Sequence, residues 1–341
     1  MKTRHMKNKI LRLLYQRGDF LSGEEISQEL QISRAAVWKH IAKLKEEGQQ
    51  IEAVTNKGYR LKRPYRGQAY GWELEDRFAG LESGLWKELV FEETLDSSNL
   101  EAKRRIQNAA ARGEDISGTV VTCEMQTAGR GRRGRRWESP AGSGIWVSLV
   151  LKPDIGPDKA SMMTLVAGMA VRKALSDLFP LKAGIKWPND IIVDDRKICG
   201  ILTEMTVEDM EMTGIVVGIG INVSNEAFSE ELRDVATSVN MAAHDKEADR
   251  ASILMCLLGA MEEYYERFLK TGDLTGLMDE YNEHCINAGR VVHVIGVDTD
   301  WTARAIGIDR DGGLRLIKED GEETTVSSGE VTIRGVMGYA K

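Results

Sequence analysis

Apolar residues recur at helical spacing in three successive segments within the first fifty residues of the chain. They predict helices over residues 8–18, 22–30 and 32–48, with Ser22 and Ser33 placed to cap the second and third. Only about three residues separate these two helices, a spacing typical of a helix-turn-helix. The chain therefore opens with a predicted three-helix unit.

An alternating segment follows the third helix and predicts a β-hairpin over 50–64, with Asn56, Lys57 and Gly58 at its tip. A hairpin in this place makes the unit a winged helix-turn-helix, whose third helix would enter a DNA major groove. The side chains expected to enter the groove first are those of Ser33, Arg34, Ala35, Ala36, Trp38, Lys39 and His40. Lys57 and Arg60 of the hairpin are expected to contact phosphate. Gln31 stands where the turn often has glycine, and a small helical protein-interaction domain is the alternative.

Charge separates this unit from the rest of the chain. Residues 1–66 hold 15 Lys+Arg and 7 Asp+Glu, whereas residues 67–341 hold 31 and 46, and the net charge of the whole chain is −7. A basic arm on an acidic body indicates that one part meets a polyanion, which favours DNA as the partner of the first unit. Residues 64–67 are the predicted linker into the body.

The bulk composition is that of an ordinary soluble protein, and 341 residues predict two or three domains. Neither a signal-peptide pattern nor an apolar run of the ~18 residues of a membrane span is found, so we expect a cytoplasmic protein without membrane contact. The cysteines lie far apart, without zinc-site spacing, and are expected to be reduced and buried. They are Cys123, Cys199, Cys256 and Cys285.

The body alternates between β-branched or alternating apolar runs, which predict strands, and longer periodic runs, which predict helices. The predicted strands cover 89–93, 118–125, 144–153, 184–186, 190–193, 198–205 and 211–224. The predicted helices cover 69–80, 160–171, 247–270 and 273–286, and a further one begins at 97–99 and ends at Gly113. From about 287 onward, short alternating strands are separated by Asp/Gly turns.

The segment TAGRGRRGRRWESPAGSG, residues 127–144, laces arginines between glycines at positions 130, 132, 133, 135 and 136. A dinucleotide-binding interpretation of its G-x-G-x-x-G fails, because no helix start follows Gly134. Glycines let a backbone approach a ligand, and arginines offer forked donors to carboxylate or phosphate. Since predicted strands hold both ends, we interpret the segment as a ligand-covering lid, with an Arg-Gly nucleic-acid tract or a solvated charge run as alternatives.

Two further groups of polar residues stand beside predicted strands. Ser97, Ser98 and Asn99 lie at a predicted helix N-terminus, where N–H groups and hydroxyls can hold a polar ligand or simply cap the helix. Around one predicted hairpin occur the ligand-type side chains Lys186, Asn189, Asp190, Arg196 and Lys197. Their joint polarity amid apolar strands favours a pocket rim over isolated surface turns.

The blocks TLDSSN, EMQTAGRGRRGRRW, KWPNDIIVDDRKICGIL and GIGINV closely resemble those of the biotin–protein ligases. With the winged helix in front, the chain is similar to the bifunctional members that also act as biotin operon repressors. The resemblance covers essentially the whole chain, and GRGRRG with KWPND is its most specific part. It implies an α+β fold with a winged helix-turn-helix over 1–64, a mixed α/β catalytic domain over 65–286 and an SH3-like barrel over 287–341.

The resemblance also implies the activity. The family joins biotin to ATP as biotinyl-5′-adenylate and passes the biotinyl group to one lysine of the biotin carboxyl carrier protein. The expected ligands are biotin, ATP and Mg²⁺, with no certain metal-ligand set on the chain. The expected partners are the carrier protein, operator DNA and, once adenylate is bound as corepressor, a second copy of the chain.

Site residues follow by correspondence with the family's motifs. Catalysis is assigned to Arg130, Arg132 and Lys197, with Asp190 as base or orienter in the transfer step. Biotin is expected to contact Ser97, Ser98, Asn99, Gln126, Arg130, Gly131, Arg132 and Lys197. ATP or the adenylate is expected to contact Arg132, Trp137, Lys186, Asn189 and Asn222. The family commonly has threonine where Ser98 stands, and the hydroxyl is kept.

Two rival functions belong to different classes. A lipoate or octanoate ligase shares the acyl-adenylate chemistry but not the pairing of GRGRRG with KWPND. A transcription factor that senses a small molecule with an inactive enzyme-like domain would not need the full Arg/Lys set. Biotin-dependent pyrophosphate release distinguishes both from a biotin ligase.

Overall fold

The computed structural model describes residues 2–46, 48–62, 69–208, 211–244, 248–296, 300–328 and 332–335. The chain divides into two compact units, Met1–Asp76 and Arg77–Lys341. The predicted linker at 64–67 lies outside the described residues, and the division into 1–64, 65–286 and 287–341 stays a prediction.

Helices and one hairpin build the first unit. They are α1 (Lys2–Arg17), α2 (Gly23–Leu30), α3 (Arg34–Glu46), β1 (Ile51–Val54) and β2 (Gly58–Leu61), with β1 and β2 antiparallel. Ser22 and Glu25 form a capping box at the start of α2, and Ser33 Oγ accepts the Ala36 N–H at 3.2 Å in α3. Both predicted caps are therefore present, and they satisfy backbone donors that a helix start leaves open.

The turn between α2 and α3 takes a left-handed residue without using glycine. Gln31 has φ 54° and ψ 43°, and its Nε2 donates to the Gln28 carbonyl at 2.8 Å. The side chains of Ile26, Val37 and Ile41 are buried in the core beneath this turn. Since left-handed backbone is costly for residues with a Cβ, packing of the two helices holds Gln31 in this conformation.

Helix α4 (Ala69–Ala79) precedes a seven-stranded sheet in the second unit. The strands are β3 (Glu88–Leu95), β4 (Thr119–Gln126), β5 (Gly144–Leu151), β6 (Gly184–Lys186), β7 (Asp190–Val193), β8 (Arg196–Glu208) and β9 (Glu211–Asn222). Their order is β3-β4-β5-β9-β8-β7-β6; β3 and β4 are parallel, and the remaining neighbours are antiparallel. The sheet is therefore mixed, as expected.

Helices cover both faces of this sheet. They are α5 (Ser98–Ala110), α6 (Met162–Leu178), α7 (Val239–Ala243), α8 (Arg250–Thr271) and α9 (Met278–His284). Asn99 of α5 bonds Glu204 of β8, whereas Gly168 of α6 lies beside Ile201 of the same strand. Because successive strand side chains point to opposite faces, α5 and α6 lie on opposite sides of the sheet, and α8 packs on α6.

The C-terminal part of the second unit is an antiparallel sheet in the order β13-β12-β11-β10-β14. Its strands are β10 (Val291–Ile295), β11 (Asp300–Ile308), β12 (Leu314–Ile317), β13 (Glu323–Val326) and β14 (Thr332–Gly335). Trp187 ties this part to the central sheet, because its Nε1 donates to the Gly312 carbonyl at 3.0 Å. The short strands were predicted; their closure into an SH3-like barrel stays a prediction.

Several details differ from expectation, and among them α1 begins at Lys2 rather than at residue 8 and α6 ends at Leu178 rather than at residue 171. Helix α7 was not predicted, since its five residues are too few to show a period. Helix α9 begins at Met278 rather than 273, because Asp273 accepts the Thr275 N–H and forms a turn there. All four thiols are free, but Cys256 is only half-buried, so its predicted burial was wrong. Among the described residues, none of the helices has both the length and the apolar character needed to cross a membrane.

Candidate active site and nucleic-acid interface

An inner pocket lies where the first turn of α5 meets β8, β9 and the arginine–glycine loop, residues 127–143. It is lined by Ser97, Ser98, Asn99, Gln126, Arg130, Gly131, Arg132, Trp137, Asn189, Lys197, Gly200, Ile201, Leu202, Gly218, Ile219 and Gly220. The eight residues predicted to contact biotin are all among them.

Buried hydrogen bonds hold the polar wall of the inner pocket. Ser148 Oγ donates to Asn99 Oδ1 at 2.6 Å and lies 2.8 Å from Ser98 Oγ. The Ser98 N–H donates to Gln126 Oε1 at 2.9 Å, and Gln126 Nε2 donates to Ser139 Oγ at 2.8 Å. These side chains therefore fix one another through bonds within the protein.

A carboxylate anchors the far side of this wall. Glu204 accepts hydrogen bonds from Asn99 Nδ2 at 2.9 Å and Lys103 Nζ at 2.6 Å, and Arg130 Nη1 lies 3.4 Å away. Burial acts to raise the pKa of Glu204, but the bonds from Lys103 and Asn99 and the nearby charges outweigh it and hold the pKa below its ordinary value. Glu204 therefore stays anionic and positions Asn99.

Glycines form the floor of the inner pocket. A Cβ at Gly218 would lie 2.1 Å from Asn99 Oδ1, and a Cβ at Gly220 would lie 2.6 Å from the Trp137 ring. At Gly200 the closest atom would be Trp137 Cζ3, at 2.8 Å. Each glycine is thus required because Asn99 or Trp137 occupies the space that a side chain would fill.

The arginine–glycine loop folds back on itself above this floor. The Gly131 N–H donates to the Arg135 carbonyl at 2.7 Å, and Arg133 between them has φ 56°. Arg132 points inward: its Nη1 donates to Asn189 Oδ1 at 2.9 Å and its Nη2 donates to the Ser328 carbonyl. Burial lowers the pKa of Arg132, against the opposing charge of Asp190, from an ordinary value so high that the guanidinium remains charged.

Lys197 joins the inner pocket to its surroundings. Its Nζ lies 2.6 Å from Asp190 Oδ1 and 5.2 Å from the centroid of the Trp137 ring. Its main chain is also paired, because the Lys197 N–H donates to the Val235 carbonyl at 2.7 Å and its carbonyl accepts the Thr237 N–H at 2.9 Å. The lysine is thus fixed at both ends.

An outer cleft continues from the inner pocket, and Gly131, Arg132, Trp137, Asn189 and Lys197 line both. The other lining residues are Arg133, Arg135, Arg136, Glu138, Pro140, Lys186, Trp187, Pro188, Asp190, Asn222, Asn225, Ala227, Phe228, Leu232, Val235, Ala236 and Ile333. The five residues predicted to contact ATP all line this cleft.

One residue of the predicted pocket rim is not brought to the site. Arg196 is exposed and lines neither the inner pocket nor the outer cleft, although it neighbours Lys197. Within the part of the chain that the structure describes, no group of three or more His, Cys, Asp or Glu side chains is arranged to hold a metal ion.

The predicted DNA-contacting residues lie on the first unit. Arg34, Ala35, Trp38 and Lys39 are exposed on α3, and Ser33 caps it, whereas Ala36 and His40 are half-buried. Partial burial and the neighbouring Lys7, Lys39 and Lys43 charges lower the pKa of His40, so it is neutral at pH 7.

The basic residues of this surface also have acidic neighbours. Arg34 Nη1 lies 3.3 Å from Glu24, and Arg60 Nη2 lies 2.9 Å from Glu52. Lys57 and Arg60 both lie over the Phe20 ring, at 5.9 and 4.4 Å from its centroid. Exposed ion pairs of this kind contribute little to stability, so phosphate can compete for these arginines.

Comparisons with known proteins match three separate parts of the chain. The profile of the Biotin/lipoate A/B protein ligase family matches residues 103–222, an HTH domain profile matches 7–60, and the Biotin protein ligase C terminal domain matches 288–334. The bifunctional ligase/repressor BirA of Bacillus subtilis (strain 168) is 36% identical over 320 residues, covering 93% of this chain and 95% of the relative. The chain belongs to the bifunctional ligase/repressor family of biotin–protein ligases.

A second relative and a solved structure are also similar to the chain. BirA of Escherichia coli (strain K12) is 31% identical over 334 residues, covering 98% of this chain and 99% of the relative. A biotin protein ligase from Aquifex aeolicus, solved in complex with biotin and ATP, has a TM-score of 0.63 at 27% identity and covers 73% of this chain and 100% of that one. The predicted family, fold class and ligase class are confirmed.

Three residues that position the wall of the inner pocket were not predicted from the sequence. No role was predicted for Glu204, Ser139 or Ser148, although Ser139 lies in the arginine–glycine loop and Ser148 lies in the strand that follows it. The apolar side of the outer cleft, with Phe228 and Leu232, was also missed. That segment lacks a period or motif, so no local signal marks it.

Proposed function

We propose that the chain joins biotin to ATP as biotinyl-5′-adenylate, transfers the biotinyl group to a lysine of a biotin carboxyl carrier protein, and represses biotin-synthesis genes with the adenylate as corepressor. The supporting observation is that the inner pocket and the outer cleft share Arg132 and Lys197. A ligand in each would meet its neighbour beside these two cations.

The inner pocket suits the biotin ring system and the outer cleft suits the nucleotide. The inner pocket offers an ordered polar wall, Ser98, Asn99 and Gln126, over a glycine floor. The outer cleft is larger, with exposed arginines on one side and apolar side chains such as Phe228 on the other. Arginines suit phosphates, and an apolar wall suits an adenine ring.

Charge is the main obstacle to the first step, because the biotin carboxylate must approach an anionic phosphate. At ~4 Å this repulsion is about 1 kcal/mol in water and about 4 kcal/mol at an effective dielectric of 20. Arg132 and Lys197 lie where the two ligands would meet and offset this repulsion, and Arg130 stands at the rim. They also stabilise the negative charge that develops as the carboxylate oxygen attacks the α-phosphorus.

Mg²⁺ would accompany ATP in this proposal. The outer cleft presents the oxygen-bearing side chains of Asn189, Asp190 and Asn222, and oxygen ligands are those that Mg²⁺ prefers. The ion neutralises phosphate charge when it is bound. Lys186, which is almost fully buried, lines the same cleft.

The transfer step needs a neutral amine from the carrier lysine. Asp190 lines the outer cleft, with its carboxylate held 2.6 Å from Lys197 Nζ, and we assign it to receive or orient the incoming ammonium. The ammonium gives one proton to Asp190, the amine attacks the acyl carbon, and AMP departs with the electrons of the broken acyl–phosphate bond. The second proton passes from nitrogen to solvent as the amide forms. The folded arginine–glycine loop keeps water from the anhydride.

Repression requires DNA contact by the first unit. Because one winged helix reads a half-site, a palindromic operator requires a two-fold dimer, and we propose that adenylate binding promotes it. Sedimentation with and without biotin and Mg-ATP tests this step. An unchanged mass at working concentration would contradict ligand-driven dimerisation.

The deciding experiment incubates the full chain with biotin, Mg-ATP and a biotin carrier domain and follows the carrier by mass spectrometry. We expect one biotinyl group on one lysine, released pyrophosphate, and no product with lipoate. Transfer of lipoate instead would favour a lipoate ligase. Absence of both transfer and pyrophosphate release would favour a sensor without enzymatic activity.

A further inference from the structure

Trp38 is the most exposed of the large hydrophobic side chains in the described residues, at 66% of its full accessibility. It lies in the first half of α3, about a quarter turn around the helix from Val37, Ile41 and Leu44, which are buried in the core. Its exposure therefore adds nothing to the folding of this unit, while leaving apolar surface in water costs free energy. A large apolar ring in this position suits a partner surface.

The surroundings of Trp38 are cationic. Arg34 precedes it by one helical turn, Lys39 follows it, and both are exposed. Neutral His40 lies beside them, with its pKa lowered by burial and by the charges of Lys7, Lys39 and Lys43. An indole set among lysine and arginine side chains matches a surface on which apolar groups lie between phosphates.

The major groove offers one apolar group of this kind. Among the four bases, thymine alone presents a methyl group at its groove edge, whereas the others present only donors and acceptors. An indole has a single N–H donor and no acceptor, so most of its surface can recognise only apolar atoms. Trp38 is therefore better matched to a thymine methyl than to any other feature of a base edge.

Resting on the proposed DNA-binding function, we propose that Trp38 is a specificity-determining residue that packs its indole on thymine C5-methyl groups of the operator. Arg34 and Lys39 hold the phosphates around it. Burying one methyl contributes about 0.8 kcal/mol, which corresponds to about fourfold in affinity.

The test uses a duplex selected from a random pool by the full-length wild-type chain with biotin and Mg-ATP present. Each thymine is replaced singly by uracil, which removes only the methyl group, and affinity is measured by fluorescence anisotropy at fixed salt. We expect about fourfold weaker binding at one or a few positions and no change elsewhere. Replacing Trp38 by alanine should weaken binding to the parent duplex, and replacing thymine by uracil at those same positions should then have no further effect.

A matched variant distinguishes base reading from general attraction. Lys39→Ala should weaken binding to all duplexes alike and lower the salt dependence, while the sensitivity to uracil remains. Thermal unfolding of Trp38→Ala should match wild type, since the side chain is exposed, and this establishes that the variant is folded.

Three outcomes would overturn the proposal. Wild-type binding that tolerates uracil at every position refutes the methyl contact while leaving DNA binding intact. Uracil sensitivity that persists in Trp38→Ala assigns the methyl contact to another residue. Failure of the wild-type chain to select any duplex refutes the repressor function itself, and this inference with it.

Discussion

The inner pocket and the outer cleft adjoin each other but are built in different ways. The inner pocket stands on strands β8 and β9 and on the first turn of α5, and its polar residues bond to one another. The outer cleft is lined largely by loop residues, and its arginines are exposed at Arg133, Arg135 and Arg136. The polar side chains of the inner pocket are thus held by one another, whereas three arginines of the outer cleft extend into solvent.

We infer from this difference that the inner pocket determines the affinity for the small ligand, whereas the outer cleft determines how fast ligand is released. A preformed pocket loses little entropy on binding and so favours selective capture of a small ligand. A loop-lined cleft can close over its ligand and open again for release. We expect substitutions in the inner pocket to act on biotin affinity and those in the arginine–glycine loop to act on retention of the adenylate.

The largest effect is expected where both regions depend on one residue. Replacing Lys197 by alanine removes a cation that lines the inner pocket and the outer cleft, so adenylate formation should fall by about 10²–10³. Biotin-dependent ATP–pyrophosphate exchange measures it. Arg196→Ala is the matched control, since Arg196 is exposed on the same strand and should leave exchange unchanged. Exchange at the wild-type rate in Lys197→Ala would remove this residue from the chemistry.

The next effect tests the rigidity of the inner pocket. A Cβ at Gly218 would lie 2.1 Å from Asn99 Oδ1, and Asn99 is held by Ser148 and Glu204. Gly218→Ala should therefore weaken biotin binding by about 10- to 100-fold and cost about 1–3 kcal/mol of stability. Calorimetric titration and urea unfolding measure the two quantities.

A second glycine provides the control for Gly218→Ala. Gly259 lies in α8 with open space around its Cβ position, so Gly259→Ala should stabilise the chain by up to about 1 kcal/mol and leave biotin affinity unchanged. Normal biotin affinity in Gly218→Ala would show that Asn99 can move, contrary to a preformed wall.

The loop is tested by Arg132→Gly, which removes the bonds to Asn189 and to the Ser328 carbonyl. Loss of about 1.4 kcal/mol should speed adenylate release about tenfold. Chase of labelled adenylate with unlabelled ligand measures this rate. Arg132→Lys keeps the positive charge but not the forked pair of donors, so its rate of adenylate release should lie between those of wild type and Arg132→Gly. Equal release rates in Arg132→Gly and wild type would contradict closure by this residue.

The smallest effect concerns the scaffold under the inner pocket. Asp96 accepts bonds from Arg104 and from the Ser97 N–H, and the Arg104 bonds lower its pKa to about 2 from 3.8 against the opposing effect of burial. A carboxyl whose pKa is lower in the folded state stabilises the chain above the unfolded-state value, and this stabilisation is lost as the pH falls from 3.8 to about 2.

Asp96→Asn should therefore cost less than about 1 kcal/mol at pH 7, since the exposed pair is screened by solvent. The difference between the variant and wild type should vanish toward pH 2. Urea unfolding of both proteins across the acid range measures it. A difference that stays constant with pH would show that the stabilisation does not arise from the ionised carboxylate.

Local periodicity made most of the fold predictable. The β-branched run at 118–125 could only be buried, and the caps Ser22 and Ser33 mark where α2 and α3 begin. Gln31 shows the limit of prediction from local pattern. Its left-handed conformation is imposed by the packing of α2 and α3, and glutamine has no intrinsic preference for it. Helix α7 is too short for a period to show.

The site was predictable where a motif marks it. Arg132 and Lys197 belong to blocks whose composition is unusual, so their chemistry stands out in the sequence. Glu204 and Ser148 do not, because each is an ordinary strand residue whose role depends on the residue across the sheet from it. Such partners arise only from the three-dimensional pairing of distant segments.

The main-chain pairing of Lys197 with Val235 and Thr237 has a mechanical consequence. Val235 also lines the outer cleft, so the segment that is hydrogen-bonded to the backbone of Lys197 forms part of the wall proposed to bind the nucleotide. Any displacement of this wall would therefore act directly on the backbone of Lys197.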